Sequence, residues 1–159
     1  MTEYNLMSPE SKVWIYQSNL KFTDEEISEI DTQIQNFVTQ WVSHNQALLA
    51  YGKLYHNRFI VLMVDESQAG ASGCSIDKSV HFVKAMGFHH GVDFMDRMNF
   101  AYKLDDEIVS AHRDEFARQF QSKKINKDTL VFNNLVKDKG EFEKAWVVPL
   151  KDSWHARMV

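Results

Sequence analysis

The hydrophobic positions of the chain fall into runs of strand length and stripes with helical spacing. Residues 59–64 are an unbroken apolar run, which predicts a strand covered on both faces in the middle of a sheet. Aromatic and β-branched residues within 11–18 predict an earlier strand. Residues 47–56 predict another strand, which a tight turn at Asn57 joins to the central run as a hairpin. Apolar residues recur at every second position over 94–102, which predicts a half-buried strand.

Two helices are predicted between these strands. Thr23 can cap a helix that begins at Asp24, because Glu26 completes a capping box. The apolar residues of that helix share one side, as expected of a face turned to a core: Ile27, Ile30, Ile34, Phe37, Val38 and Trp41. The second helix begins near Ser75, and it places on one side Ile76, Val80, Phe82, Val83 and Met86.

The predicted order is therefore β-α-β-β-α-β, which is typical of a ferredoxin-like core in an α+β protein with a mainly antiparallel sheet. A C-terminal extension of helices and strands follows this core. Residues 108–123 predict a third helix and residues 129–132 a strand. The spacing of Asp138 and Glu141 predicts a short helix through Trp146, after which 147–150 are extended. We expect residues 1–159 to form a single domain.

Composition narrows the class of protein. The formal net charge of −4 and the pI near 5.9 argue against a protein that wraps nucleic acid or an anionic membrane surface. No stretch approaches the roughly 20 apolar residues of a membrane span, and the N-terminal residues lack a signal-peptide pattern. The single cysteine excludes an internal disulfide. We therefore expect a cytoplasmic protein without nucleic-acid or membrane partners.

Five segments carry a resemblance to a known family: VWIYQSN (13–19), RFIVLMVDES (58–67), ASGCSIDKSVHF (71–82), TLVFNNLV (129–136) and VVPLKDSWH (147–155). Together they resemble a family of bacterial proteins of about this length, found mainly in Bacteroidetes, which often carry the label "ABC transporter ATPase". The resemblance implies no established activity. The label itself is not supported, because a P-loop requires G-x-x-x-x-G-K-[ST] and the chain contains no such string.

Cys74 is the sharpest candidate for chemistry. Free N–H groups and the positive end of the helix dipole favour a thiolate at the start of a helix. A nucleophilic thiol also needs a base, and His81 lies about 10 Å further along the helix axis, beyond direct contact. A base would come from His44, His56, His112 or His155. The alternative is that Cys74 is a small buried residue of the core, which is the commoner situation of a free cysteine.

The loop before the second helix is the other candidate. Its small residues, Gly70 to Ser75, can form a backbone nest that binds an anion beside a helix start, although nearby acids oppose a highly charged ligand. We therefore expect this loop to line the main concave site. The predicted ligand-binding residues are Asp65, Glu66, Ser72, Gly73, Ser75, Asp77 and His81, together with Asn133 and Asn134 after a later strand.

Alternatives at these residues remain weaker. Cys74, Asp77 and His81 are acceptable zinc ligands, but the chain lacks the usual zinc spacings, so no metal or cofactor is predicted. The adjacent His89 and His90 are expected in a polar loop, and the asparagines in a turn held by their own side chains.

Three function classes follow from these patterns. The first is a small-ligand or anion-binding module with its site at 65–75. The second is a thiol-dependent enzyme that uses Cys74. The third is a protein–protein interaction module or a homo-oligomeric scaffold, such as a homodimer, which an aromatic surface would favour.

Overall fold

The central apolar run forms the middle strand of a three-stranded antiparallel sheet in the computed structural model, which describes residues 3–67 and 70–159. Strand β5 (Phe59–Asp65) pairs with β1 (Lys12–Gln17) on one side. On its other side it pairs with β4 (Leu49–Tyr55). A two-stranded hairpin of β2 (Val42–Ser43) and β3 (Gln46–Ala47) precedes β4. Every residue of β5 is buried, so the prediction of a strand covered on both faces is confirmed.

Two helices cover one face of this sheet. They are α1 (Asp24–Gln40) and α2 (Gly73–His90). The carboxylate Oε1 of Glu26 accepts the backbone N–H of Thr23 at 3.1 Å, which confirms the predicted start of α1. Side chains at alternate positions of β5, namely Ile60, Leu62 and Val64, share a core cluster with this helical layer.

A second antiparallel sheet lies on the opposite face. Its strands are β6 (Asn99–Leu104), β7 (Glu107–His112), β8 (Leu130–Phe132) and β9 (Val147–Pro149), in the order β7-β6-β8-β9. Phe59, Val61 and Met63 of β5 share a core cluster with Ala101 and Phe132 of this sheet. Helix α4 (Lys139–Ala145) contributes to the same cluster through Phe142.

The outer face of the second sheet has its own cover. Helix α3 (Arg113–Gln121) and two 3₁₀ turns, Leu150–Asp152 and Trp154–Met158, lie over it. Phe100 and Tyr102 of β6 share a core cluster with Phe116 of α3 and Leu150. The molecule therefore has four layers, with helices outside and the two sheets between them.

The predicted class, α+β with antiparallel sheets, is confirmed, but the ferredoxin-like topology is not. Strand β5 lies between β1 and β4, as in a split β-α-β unit. The strand expected over 94–102 begins only at Asn99, and β6 pairs with β7 and β8 instead of joining the first sheet. In the described chain, β1 pairs as a strand only with β5, and an isolated bridge joins Lys12 to Asp138.

The helix predicted over 108–123 is wrong in its first half. Asp105 and Asp106 both have positive φ, 50° and 67°, which is the conformation of a tight hairpin turn. The chain therefore turns back as strand β7, in which Ile108 faces one core cluster while Val109 faces the other. The helix itself is confined to Arg113–Gln121.

The short helix expected from Asp138 is present as α4. The Asp138 carboxylate accepts the backbone N–H of Glu141 at 2.8 Å and caps the helix. No helix in the described ranges is both long enough and apolar enough to cross a bilayer.

Candidate functional site

A cavity of about 750 Å³ opens along the outer edge of β1, on the side away from β5. Trp14, Tyr16 and the first turns of α2 bound it on the helical side, while Phe100 and Phe132 of the second sheet bound it on the other. Further walls come from the segment before β6, the segment after β8 and the C-terminal 3₁₀ turn: Phe94, Met95, Met98, Leu135, Val136, Trp154 and Met158. The lining is predominantly apolar and aromatic, as in small-molecule sites of this size.

Backbone groups of β1 form part of the cavity wall. Ser18 N–H donates to Arg58 O at 2.8 Å, continuing the register in which even-numbered residues of β1 bond to β5. The backbone groups of odd-numbered residues point away from β5. Val13 N–H donates to Lys137 O at 3.0 Å, and Asn19 N–H donates to Asp93 O at 3.1 Å. Between these two hydrogen bonds, the backbone N–H groups of Ile15 and Gln17 face outward. No hydrogen-bond partner for them is found within 3–67 and 70–159.

A small polar network joins the layers at one end of the cavity. Gln17 Nε2 donates to Asn99 O at 2.9 Å, and Asn134 Nδ2 donates to Gln17 Oε1 at 3.0 Å. Asn134 Oδ1 also accepts from Trp146 Nε1 at 2.9 Å. The nitrogen and the oxygen of the Asn134 amide each make one hydrogen bond within the protein, so these contacts fix the orientation of the side chain in the wall.

His155 belongs to the floor of the cavity and is almost fully buried, with 1% of its surface exposed. Its Nδ1 lies 2.6 Å from Ser153 Oγ, and its ring stacks on Trp154 with centroids 3.8 Å apart. Phe100 lies edge-on to the same ring. Desolvation in this aromatic environment lowers the pKa of His155 to about 4, so the imidazole is neutral at physiological pH.

The rim of the cavity carries more positive than negative charge. Lys12, Arg97 and Lys137 are exposed there, and Asp96 is the acidic residue of the lining. Lys12 also forms an ion pair with Glu66, with Nζ and Oε1 3.5 Å apart. A ligand in the cavity would therefore meet a cationic rim above an apolar floor.

The 65–75 loop meets the rim at the ion pair of Glu66 with Lys12, but its described residues are not part of the lining. Asp65 is buried at the end of β5, and its carboxylate accepts Ser67 N–H at 2.9 Å. Hydrogen bonds from the Ser67 backbone and side chain hold the pKa of Asp65 below its usual value, so a negative charge resides beside the loop. The described residues of this loop do not line the cavity, whose α2 contribution is Ile76. Gln68 and Ala69 lie outside the described residues.

Ser72 and Ser75 are committed to holding the start of α2. Ser72 Oγ accepts Ser75 N–H at 3.1 Å as an N-cap. The Ser75 hydroxyl donates to Val42 O at 2.9 Å, and its carbonyl accepts from Trp41 Nε1 at 2.9 Å. Because these contacts tie the helix start to the β2 region, the two serines act as structural residues.

Four other predicted residues are exposed on α2: Gly73, Cys74, Asp77 and His81. The expectation that Cys74 is a buried core residue is therefore wrong, because the helix starts at Gly73 and its first turn projects into solvent. The structure does not bring Asp77 and His81 together with Asp65 as a ligand set. Asn133 forms the expected turn, since its Oδ1 accepts Leu135 N–H at 3.1 Å.

His89 and His90 lie in the last turn of α2, and not in a loop as expected. His89 Nε2 is 3.1 Å from Glu29 Oε1, and His90 Nε2 is 3.0 Å from Gln33 Oε1, so both contacts join α2 to α1. Candidate ligand atoms of Glu29, His89 and His90 lie within 4.8 Å of one another. These histidines connect the two helices, with the His90 ring also packed edge-on against Phe22.

An exposed apolar surface lies on the same helical layer. Phe88 is 93% exposed, and it borders a shallow depression between α1 and α2. Phe37 and Phe82 stack on each other in this depression, with ring centroids 4.4 Å apart. This surface is the feature of the structure that bears on an interaction between proteins.

Most residues of the cavity were missed by the sequence interpretation, which took Trp14 and Tyr16 as packing residues. One signal was present: Leu135 is a large apolar residue next to the turn predicted at the two asparagines, and it is exposed at the cavity. Apolar residues at such positions were a reason to search there for a binding surface.

Comparison of the chain with protein-family models, with curated proteins and with solved structures finds no match. The geometry of the cavity is therefore the main guide to function.

Proposed function

We propose that this protein is a binding module for a small, largely apolar ligand, and that the ligand occupies the cavity at the outer edge of β1. The observation that supports the proposal is the cavity itself, since about 750 Å³ lies within the range of small-molecule sites. Its wall combines aromatic surface with outward-facing backbone groups of Ile15 and Gln17. The aromatic surface provides affinity for an apolar ligand. The backbone groups can bind a polar group of that ligand and so fix its orientation.

The cavity is a better candidate than the 65–75 loop. An anion at the loop would lie near the ionised carboxylate of Asp65, and the Ser72 side chain already caps α2 there. At the cavity rim, Arg97 and Lys137 favour a negatively charged group, while Lys12 is already paired with Glu66. The sequence analysis also proposed a small anionic ligand. We keep that class of ligand and move its site from the 65–75 loop to the cavity.

Replacing Leu135 by aspartate should weaken the binding of an apolar anionic dye, 8-anilinonaphthalene-1-sulfonate, by about tenfold. The substitution removes apolar surface from the wall and adds a like charge to the rim. Leu20→Asp is the matched control, because Leu20 is 57% exposed against 58% for Leu135 but does not line the cavity. Fluorescence titration gives both affinities.

Saturable binding with one dye per chain, reduced in Leu135→Asp and unchanged in Leu20→Asp, is the expected outcome. Equal effects of the two substitutions, or no saturable binding by the unsubstituted protein, would refute the cavity as the ligand site.

A thiol-dependent enzyme is the second candidate, which the exposure of Cys74 at the start of α2 favours. Iodoacetamide should modify Cys74 in the folded protein at neutral pH within about threefold of its rate in the unfolded chain, because solvent reaches the sulfur. Mass spectrometry follows the reaction, and Cys74→Ser is the unreactive control, since the chain has one cysteine.

The comparison of the two rates separates the hypotheses. Faster modification of the folded protein would support an activated thiol and a search for substrates. A folded rate at or below the unfolded rate would mean that the thiol is not activated and would end the enzyme proposal, and a rate far below it would also contradict the exposure of Cys74.

Two further proposals from the sequence stay open. The surface around Phe88 supports a homodimer or another protein partner, which size-exclusion chromatography with light scattering would detect. Membership of the Bacteroidetes family and a cytoplasmic location are proposals that rest on the sequence alone.

A further inference from the structure

The unpaired edge of β1 restricts the chemistry of the ligand further. Hydrogen bonds to Lys137 O at one end and to Asp93 O at the other limit the free part of this edge. Between these hydrogen bonds, the register with β5 turns five backbone groups outward. They are the N–H and C=O of Ile15, the N–H and C=O of Gln17, and the C=O of Val13. Backbone groups in an apolar environment need hydrogen-bond partners, and unpaired strand edges are the usual template for another strand.

An extended peptide presents the complementary pattern. Its own N–H and C=O groups alternate along the chain at the spacing of β1, and its side chains project alternately to the two sides. Here one side is the helical layer with Trp14 and Tyr16, and the other is the second sheet with Phe132. Successive apolar side chains of a peptide would thus meet the two aromatic walls in turn.

The charges around the cavity select among peptides. Lys12, Arg97 and Lys137 line the rim together with Asp96, and Lys12 is also paired with Glu66, so Arg97 and Lys137 carry the excess of positive charge. Acidic side chains flanking the apolar positions would be attracted, and basic side chains repelled.

We propose that the ligand of the cavity is a short, extended, acidic peptide segment that adds as a strand to the free edge of β1. This inference rests on the proposed function, because it names the class of ligand that the same cavity takes. The peptide would accept hydrogen bonds from the N–H groups of Ile15 and Gln17, and its apolar side chains would enter the cavity.

The test uses a synthetic peptide of three consecutive valines flanked on each side by a glutamate, about five residues long, with acetylated and amidated ends, so that valines meet both walls and the acids lie at the rim. We expect saturable binding by isothermal titration, with slower hydrogen exchange at the amides of Ile15 and Gln17 in NMR spectra. Ile15→Pro removes the outward donor, and with it the side chain that packs against the core cluster between the two sheets. Proline is tolerated at a strand edge, and the variant should bind about tenfold more weakly. Ile15→Val retains the N–H and is the matched control.

A second probe does not depend on the folding of a variant. The same peptide with N-methyl groups on alternate residues keeps its side chains but loses backbone donors, and should bind about tenfold more weakly to the unsubstituted protein. A peptide with lysine in place of glutamate should also bind more weakly.

The outcomes are distinguishable. If the fluorescent dye binds at the cavity but the valine–glutamate peptide does not, the peptide proposal fails while the small-ligand proposal stands. If neither binds, both fail. Equal affinity for the plain and N-methylated peptides, or protection of amides outside β1 alone, would overturn the pairing with its edge.

Discussion

Replacing Gly52 by valine is expected to lower the free energy of unfolding by about 3 kcal/mol, because a side chain at this position collides with α1. A Cβ built on Gly52 would lie 2.8 Å from Ile34 Cγ2 and 2.8 Å from Val38 Cγ1. Leu62 Cδ2, on the neighbouring strand, would be 3.1 Å away. These three side chains belong to one fully packed core, so none can move without displacing others.

Urea denaturation followed by circular dichroism measures the loss. Gly52→Ala should show a smaller loss, since it adds the Cβ alone. Gly73→Ala is the control, because a Cβ there meets no atom within 4 Å. Unchanged stability of Gly52→Val would show that α1 does not pack on β4 at this distance.

The first half of the fold could be predicted because its local signals agree with its packing. The apolar run at Phe59–Val64 and the capping box at Thr23 each specify a local structure, and the second sheet and the helical layer bury that structure on both sides. The arrangement of β1, β5 and β4 follows from these elements and the short turn at Asn57.

The second half could not be predicted in the same way because the segment after its turn was interpreted as a helix. Asp105 and Asp106 adopt positive φ and form a hairpin, and the short apolar stretch from Ile108 to Ala111 fits a helix or a strand by periodicity alone. Packing decides between them, since β7 pairs with β6 along its whole length.

The cavity depends on this second half, which explains why the sequence pointed to a different site. A fourth strand beside β1 would have filled the edge, but β6 joins another sheet and leaves the edge open. Asn134 was predicted as a ligand-binding residue and does line the cavity, yet its amide is bound to Gln17 and Trp146. Contacts between residues so far apart in the chain leave no local pattern.

The burial of His155 should make stability depend on pH. The pKa of its imidazole falls from 6.5 to about 4 on folding, because the aromatic environment disfavours the charged form. The unfolded chain therefore takes up a proton at a higher pH than the folded protein does. The contribution of this group is fully present above pH 6.5 and is lost as the pH falls toward 4, by about 2 kcal/mol between pH 7 and pH 5.

His155→Gln should therefore show a shallower fall in unfolding free energy between pH 7 and pH 5 than the unsubstituted protein, even if it is less stable at pH 7. Desolvation also lowers the pKa of His56, so part of the fall persists in the variant. Urea titrations at the two pH values measure the difference between the two proteins, which isolates His155. His81→Gln is the matched control, because it removes a histidine from an exposed position on α2. Identical pH dependence of His155→Gln and the unsubstituted protein would mean that the imidazole is accessible to protons in the folded state, and that the floor of the cavity is open to water.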